Sequence, residues 1–357
     1  MKIKFQQNSS GMALIMVMIA IAIFSALAAA LWASMKVETE LARHADNEQQ
    51  LLWLGRSGVE YARWILSQHP VNERYDSLNQ LWAGGPGSSG ETNSALSGIS
   101  MENYPVGAGT ISLKIIDLER KVNVNTANSP ELQQVLTVMG VNADEISVVS
   151  DSILDWRDAD DAPRVAGAES DYYQGLNPPY YAKNAPIDNL AELLFVKGVT
   201  PEMYWGSSAT NHTPGTFQKL KLGFGTTPGQ APDYPFGLAE IFTPFSSGQI
   251  NVNTANLNVL QSIPGMDVTT AESIIKYRSG PDGVEATEDD TPFRTVSQLA
   301  AAGVSAAAVQ QLSRYCTVNS STFEVHIIAK VGDSTREYTA ILYRNGVNLQ
   351  IVSFWWK

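Results

Sequence analysis

Residues 11–32 read GMALIMVMIAIAIFSALAAALW, and the reading of this stretch decides how the remainder is arranged. From Met12 to Met35 there is no charged residue and no proline. At about 1.5 Å per helical residue, that run is long enough to cross a hydrocarbon core of about 30 Å. The pattern then changes without a break. Lys36, Glu38, Glu40, Arg43, Asp46, Glu48, Arg56, Glu60 and Arg63 enter, while Leu41, Ala45, Leu52, Val59, Ala62 and Ile65 recur at helical spacing. The first proline is Pro70. The expectation is one helix over 12–68, apolar all round as a membrane span over 12–35 and one-sided beyond it. Gly55 and Gly58 lower the local propensity and mark places where it would bend.

The residues before it, MKIKFQQNSSG (1–11), carry Lys2 and Lys4 and no acid. Positive charge stays cytoplasmic, which puts the bulk of the chain on the far side of the membrane. Three readings compete. A secretory signal would be cut near Ala26-Leu27-Ala28, but the apolar run exceeds the usual core of about 7–15 residues. An uncut signal anchor is the second. The third is cleavage between Gly11 and Met12, because a short basic leader ending in Gly directly before an apolar helix resembles type IV prepilins and type II secretion pseudopilins. The stretch favours this one. Most such subunits carry Glu as the fifth residue after the junction; here it is Met16. A carboxylate at that depth is costly unless a neighbour's N-terminus pairs with it. Its absence is the pattern of a subunit with no neighbour above, and in type II secretion it resembles the K-type minor pseudopilin.

The chain has 357 residues, 44% of them hydrophobic, room for more than one packed unit. A formal net charge of −12 disfavours nucleic acid and anionic lipid headgroups as general partners. The one cysteine, Cys316, excludes an intramolecular disulfide and reads as a buried, inert thiol. Residues 69–107, with GGPGSSGETNS at 84–94, read as loop. TISLKIID (Thr110–Asp117), FEVHIIAKV (Phe323–Val331), REYTAILYR (Arg336–Arg344) and LQIVSFWWK (Leu349–Lys357) alternate as strands, with turns at Asp333-Ser334 and Asn345-Gly346. They make a small antiparallel sheet that packs on the second half of the helix. The helical region between them is an insertion, so the fold class is α+β.

The most specific internal signal is a repeat. VNVNTAN at 122–128 returns as INVNTAN at 250–256, sharing NVNTAN. Each copy is followed by helix-hairpin-helix patterning, with Thr or Asn as N-cap and Gly140 or Gly265 at the turn. NLAELLFVKGVTPEMY from Asn189 and FRTVSQLAAAGVSAAAVQQL from Phe293 have the same character. Such hairpins often point amides at DNA phosphates. Here Asp144 and Asp267 stand beside that position without clustered Lys or Arg, which favours a packing role.

Residues 155–161 read DWRDADD, and Glu169 and Asp171 follow. The six carboxylates Asp155, Asp158, Asp160, Asp161, Glu169 and Asp171 repel one another unless a hard cation neutralises them, and calcium takes such oxygen-rich loops. The spacing is not that of an EF-hand. A solvated acidic loop and a catalytic carboxylate pair are the alternatives, the latter without an accompanying nucleophile. His44, His69, His212 and His326 lack zinc-ligand spacing, and no P-loop, GxSxG or GxGxxG element occurs.

Taken together, Gly11-Met12, Met16, KVNVNTA from Lys121, DWRD-x-DD from Asp155, GAESDYY from Gly167, PPYYAKNAPIDNLAELLFVKGVTPEMY from Pro178 and INVNTA from Ile250 resemble the K-type minor pseudopilins. The resemblance implies a pilin-like fold with a large helical insertion. It implies cleavage and N-methylation at Gly11-Met12 by the prepilin peptidase, and calcium in the inserted domain. It also implies a non-enzymatic role at the tip of a periplasmic pseudopilus, with I-type and J-type minor pseudopilins and the inner-membrane assembly platform as partners. The expected layout is a leader (1–11), helix (12–68), first β region (69–124), inserted helical domain with the acidic cluster (125–245), second helix-hairpin-helix-like module (246–320) and C-terminal strands (321–357). The protein is expected in the bacterial inner membrane, N-terminus cytoplasmic and bulk periplasmic, binding no nucleic acid. Two rivals stay open: a membrane-anchored helix-hairpin-helix DNA-binding protein of a DNA-uptake apparatus, and a calcium-dependent periplasmic enzyme.

Overall fold

The computed structural model describes residues 9–68, 75–87, 96, 98–206, 234–346 and 348–356. Helix α1 spans Ser9–Ser67 without interruption, about 90 Å at the standard rise. Residues 1–8 of the leader, most of the 84–94 loop, His69 and His212 lie outside the described residues. From Met12 to Asp46 every residue of α1 is exposed, Leu41 and Ala45 included, and packing begins only at Leu51. The apolar half is long enough to cross a membrane.

The second half of α1 lies on a five-stranded antiparallel sheet of order β1-β2-β7-β8-β9. Its strands are β1 (Tyr104–Val106), β2 (Gly109–Asp117), β7 (Thr322–Val331), β8 (Ser334–Asn345) and β9 (Asn348–Trp356), numbered in chain order. Alternate residues face the helix. Ile111, Leu113 and Ile115 of β2, Phe323, Val325 and Ile327 of β7, and Tyr338, Ala340 and Leu342 of β8 close on Leu51, Leu54, Val59, Ala62, Ile65 and Leu66. Gly55 and Gly58 lie on this buried face. A Cβ at Gly55 would come within 2.7 Å of the Tyr338 ring, and one at Gly58 within 2.6 Å of Ile327 Cγ2. Close approach of helix and sheet, not a bend, is what these two glycines supply. The hairpin between β7 and β8 turns at Gly332-Asp333, one residue before the expected pair, because Val331 is already paired with Ser334. Strand β1 escaped the sequence reading; it is only three residues long and contains Pro105.

The insertion leaves β2 at Leu118 and returns to β7 at Thr322, where Leu118 N–H donates to Thr322 O (2.9 Å). It therefore opens between adjacent antiparallel strands without disturbing them. Inside it one architecture occurs twice. In the first copy, β3 (Val122–Asn123), α2 (Ser129–Val138) and α3 (Ala143–Arg157) precede α4 (Ser170–Gln174), a 3-10 segment (Leu190–Phe195) and α5 (Pro201–Trp205). After α6 (Leu238–Ile241) and β4 (Phe242–Thr243), the second copy runs through β5 (Ile250–Asn251), α7 (Leu257–Gln261), α8 (Val268–Arg278), a 3-10 segment (Val296–Ala302), α9 (Ala306–Leu312) and β6 (Cys316–Thr317). β3 pairs in parallel with β4, and β5 with β6.

The repeated asparagines explain the repeated sequence. Asn128 and Asn256, not the threonines, cap α2 and α7, accepting from Glu131 N–H (3.1 Å) and Val259 N–H (2.9 Å). Asn125 clamps the backbone of Ile187 with both ends of its amide (2.8 and 2.7 Å), as Asn253 clamps Phe293 (2.8 and 2.8 Å). Arg157 donates to the carbonyls of Val124 and Ala127, and Arg278 to that of Val252. One continuous buried cluster runs through both copies, from Val122 to Val318. Cys316 lies within it, its thiol pushed up to about 12 by burial.

Candidate metal centre

Helix α3 delivers the acidic cluster. Its last turns bury Ile153 and Trp156 in the core, so Asp155 is fully buried and Asp158 falls on the C-cap with an extended backbone. The chain then folds back over the helix end. Arg164 N–H donates to Asp155 Oδ2 (3.1 Å), and Ala166 N–H to Asp151 Oδ2 (3.2 Å). Gly167 passes so close that a Cβ there would sit 1.9 Å from Asp155 Oδ2. This brings Glu169 back as the N-cap residue before α4. Tyr173 anchors the return: it is buried, meets Trp156 edge-on (5.3 Å), stacks on Tyr180 (5.2 Å) and accepts from Lys197 N–H (3.2 Å). Burial pushes its phenol pKa up.

Of the six expected ligands, three converge. Carboxylate oxygens of Asp158, Asp160 and Glu169 lie within 4.8 Å of one another. Glu169 is 3% exposed, and among the described residues neither of its oxygens has a hydrogen-bond partner; Asp158 Oδ1 is buried and equally without one. Loss of solvent, then the charges of Asp155, Asp158, Asp161 and Asp160, push the Glu169 carboxyl up to about 7. Asp161 sits at the rim, accepting from Ser170 Oγ (3.0 Å) and Asn184 Nδ2 (2.8 Å). Asp155 is engaged by Arg164, and Asp171 is exposed on α4, away from the three. Buried carboxylate oxygens without donors are what a hard cation satisfies, so these residues fit calcium. Two participants escaped the sequence reading. Asn184 has a buried Oδ1 without a partner among the described residues, and Arg164 Nη1 bonds Asp155 and Asp158 at 2.6 Å each. No spacing rule would have selected either, because the fold-back creates both contacts.

The hairpins offer no comparable vacancy for phosphate. Gly140 and Gly265 make the left-handed turns (φ 81° and 85°). Asp144 and Glu145 occupy the first turn of α3, and the Asp267 carboxylate caps α8 through Thr270 N–H (2.7 Å).

Residues 112–206 match the family model for type II secretion system protein K, and residues 246–317 match a helix-hairpin-helix motif. Over that first segment the chain is similar to the type II secretion system protein K family. It is 26% identical to the putative type II secretion system protein K of Escherichia coli K12, over 54% of this chain and 59% of that protein. It is 30% identical to the Pectobacterium carotovorum protein K over 28% of this chain and 35% of that one, and 24% identical to that of Aeromonas hydrophila over 56% and 61%. The matches thus span about 60% or less of the length of these relatives. Among solved structures, the enterotoxigenic E. coli GspK-GspI-GspJ complex contains a chain of the same fold, at TM-score 0.60 and 18% identity, covering 88% of this chain and 99% of that chain.

Proposed function

We propose that the chain is a non-enzymatic minor pseudopilin at the tip of a type II secretion pseudopilus, supporting protein export across the outer membrane. The observation that carries this reading is the division of α1. Its first half is apolar and wholly exposed, and its second half is welded to a sheet. Such a helix stores its apolar half in a bilayer and, on assembly, exchanges lipid for neighbouring helices. The solved complex of the same fold contains GspI and GspJ, which supports I-type and J-type minor pseudopilins as partners here. On this reading the large insertion beside the sheet would leave no room for a further subunit, in keeping with a capping position and with Met16 in place of the usual Glu. Lys2 and Lys4 set the N-terminus in the cytoplasm and the folded part in the periplasm.

Calcium is part of the proposal. Asp158, Asp160 and Glu169 would hold the ion, with Asp161 and Asn184 beside them. It would supply positive charge that ties the end of α3 to the start of α4. The deciding experiment is mass spectrometry of the mature N-terminus from native membranes. A chain starting at N-methylated Met12 is the expected product. A chain starting after Ala28, or an intact Met1, removes the pseudopilin reading.

A further inference from the structure

Arg164 is the only cation hydrogen-bonded to the carboxylates of this cluster among the described residues. It comes from the loop that the cluster itself folds, six residues beyond Asp158. Its Nη1 lies between Asp155 Oδ1 and Asp158 Oδ2, 2.6 Å from each. The two partners differ. The Asp155 side chain is fully buried and also receives the Arg164 backbone N–H, so its pairing is anchored twice. Asp158 is partly exposed, and one of its carboxylate oxygens lies within 4.8 Å of oxygens of Asp160 and Glu169. The Arg164 side chain is 39% exposed, so it can turn toward water without being stranded in the core.

Resting on the calcium reading above, we propose that Arg164 is a built-in counter-ion for this loop. It holds Asp155 and Asp158 while the site has no metal, and it yields Asp158 when calcium binds. One positive charge at hydrogen-bond distance from a ligand opposes a second cation on that ligand. Arg164 therefore sets the calcium concentration at which the loop fills. It keeps the acidic fold-back from springing open when the ion is absent, at the cost of weaker binding.

The test is titration of the full chain in detergent micelles with calcium chloride, followed by calorimetry, beside thermal unfolding in EDTA. Arg164→Gln removes the charge and Arg164→Lys keeps it. The expected result is at least about tenfold tighter calcium binding in R164Q and near-wild-type affinity in R164K, with R164Q unfolding at lower temperature in EDTA. An R164Q chain that folds only with calcium also supports the proposal. Equal or weaker binding in R164Q, equal tightening in R164K, or an R164Q chain that calcium does not rescue overturns it while leaving the calcium reading intact. Absence of binding to wild type and variants alike overturns the calcium reading and this proposal with it. Binding to R164Q alone overturns the calcium reading of the wild-type chain and, with it, the proposal that Arg164 yields Asp158 to calcium.

Discussion

Among the described residues the Glu169 carboxyl has no donor to either oxygen, and it has four acidic neighbours. Neutralising it separates folding from ion binding. Glu169→Gln is expected to raise the unfolding temperature in EDTA and to abolish the further rise that calcium gives the wild-type chain; a calcium shift that survives in E169Q argues against this site. Asn253 behaves in the opposite way, because every polar atom of its amide is used. Asn253→Ala strands Phe293 N–H and O in the core and should lower stability by about 2–4 kcal/mol in a denaturant titration. A loss near zero would mean that the clamp is replaceable by water.

At the scale of elements, α1 owes its seat on the sheet to the absence of side chains at Gly55 and Gly58. Alanine is a better helix former than glycine by about 1 kcal/mol, so propensity alone forecasts a stabilised helix. The space forecasts otherwise, since the new methyl at position 58 would meet Ile327 Cγ2 at 2.6 Å. Gly58→Ala should therefore lower the unfolding temperature of the chain, with a net loss of about 1–3 kcal/mol from overpacking. A rise would show that helix and sheet separate freely. The two insertion modules follow a different logic. Their helices are short, five residues in α7 and seven in α9, and each starts on a side-chain cap: Asn256 accepts from Val259 N–H and Ser305 from Ala308 N–H.

At the scale of the whole molecule, sheet and insertion meet around buried acids. Asp117, the last residue of β2, accepts from Asn251 Nδ2 (3.2 Å), Thr254 Oγ1 (2.5 Å) and Ser320 Oγ (2.6 Å). Glu119 accepts from Ser247 N–H (3.0 Å), Ser321 Oγ (2.8 Å) and Thr322 N–H (3.0 Å), and Asp76 pairs with Arg344. Burial, then the charge of Glu119, pushes the Asp117 carboxyl up to about 8, with Asp76 adding to the rise. The folded chain thus keeps a proton that the unfolded chain loses near pH 4. Between these values stability falls as pH rises, and above about 8 this contribution is flat. Unfolding free energy measured from pH 5 to 9 should show that decline, and Asp117→Asn should flatten it. An unchanged slope in D117N would assign the titration elsewhere.

What the sequence determined by itself was everything written in a local period or an exact repeat. The apolar run predicts α1, alternation predicts β2, β7, β8 and β9, and NVNTAN predicts two copies of one module, because burial on one face imposes those spacings. The acidic stretch was legible as a cluster from its density alone. The tertiary structure decided which acids meet. The fold-back after α3 brings Asp158, Asp160 and Glu169 together, draws Asp155 to Arg164 and leaves Asp171 in solvent. It also decided that Gly55 and Gly58 make room for the sheet, and that Asn125 and Asn253 clamp Ile187 and Phe293. These are contacts between residues distant in the chain. They depend on how elements pack, and no local period encodes them.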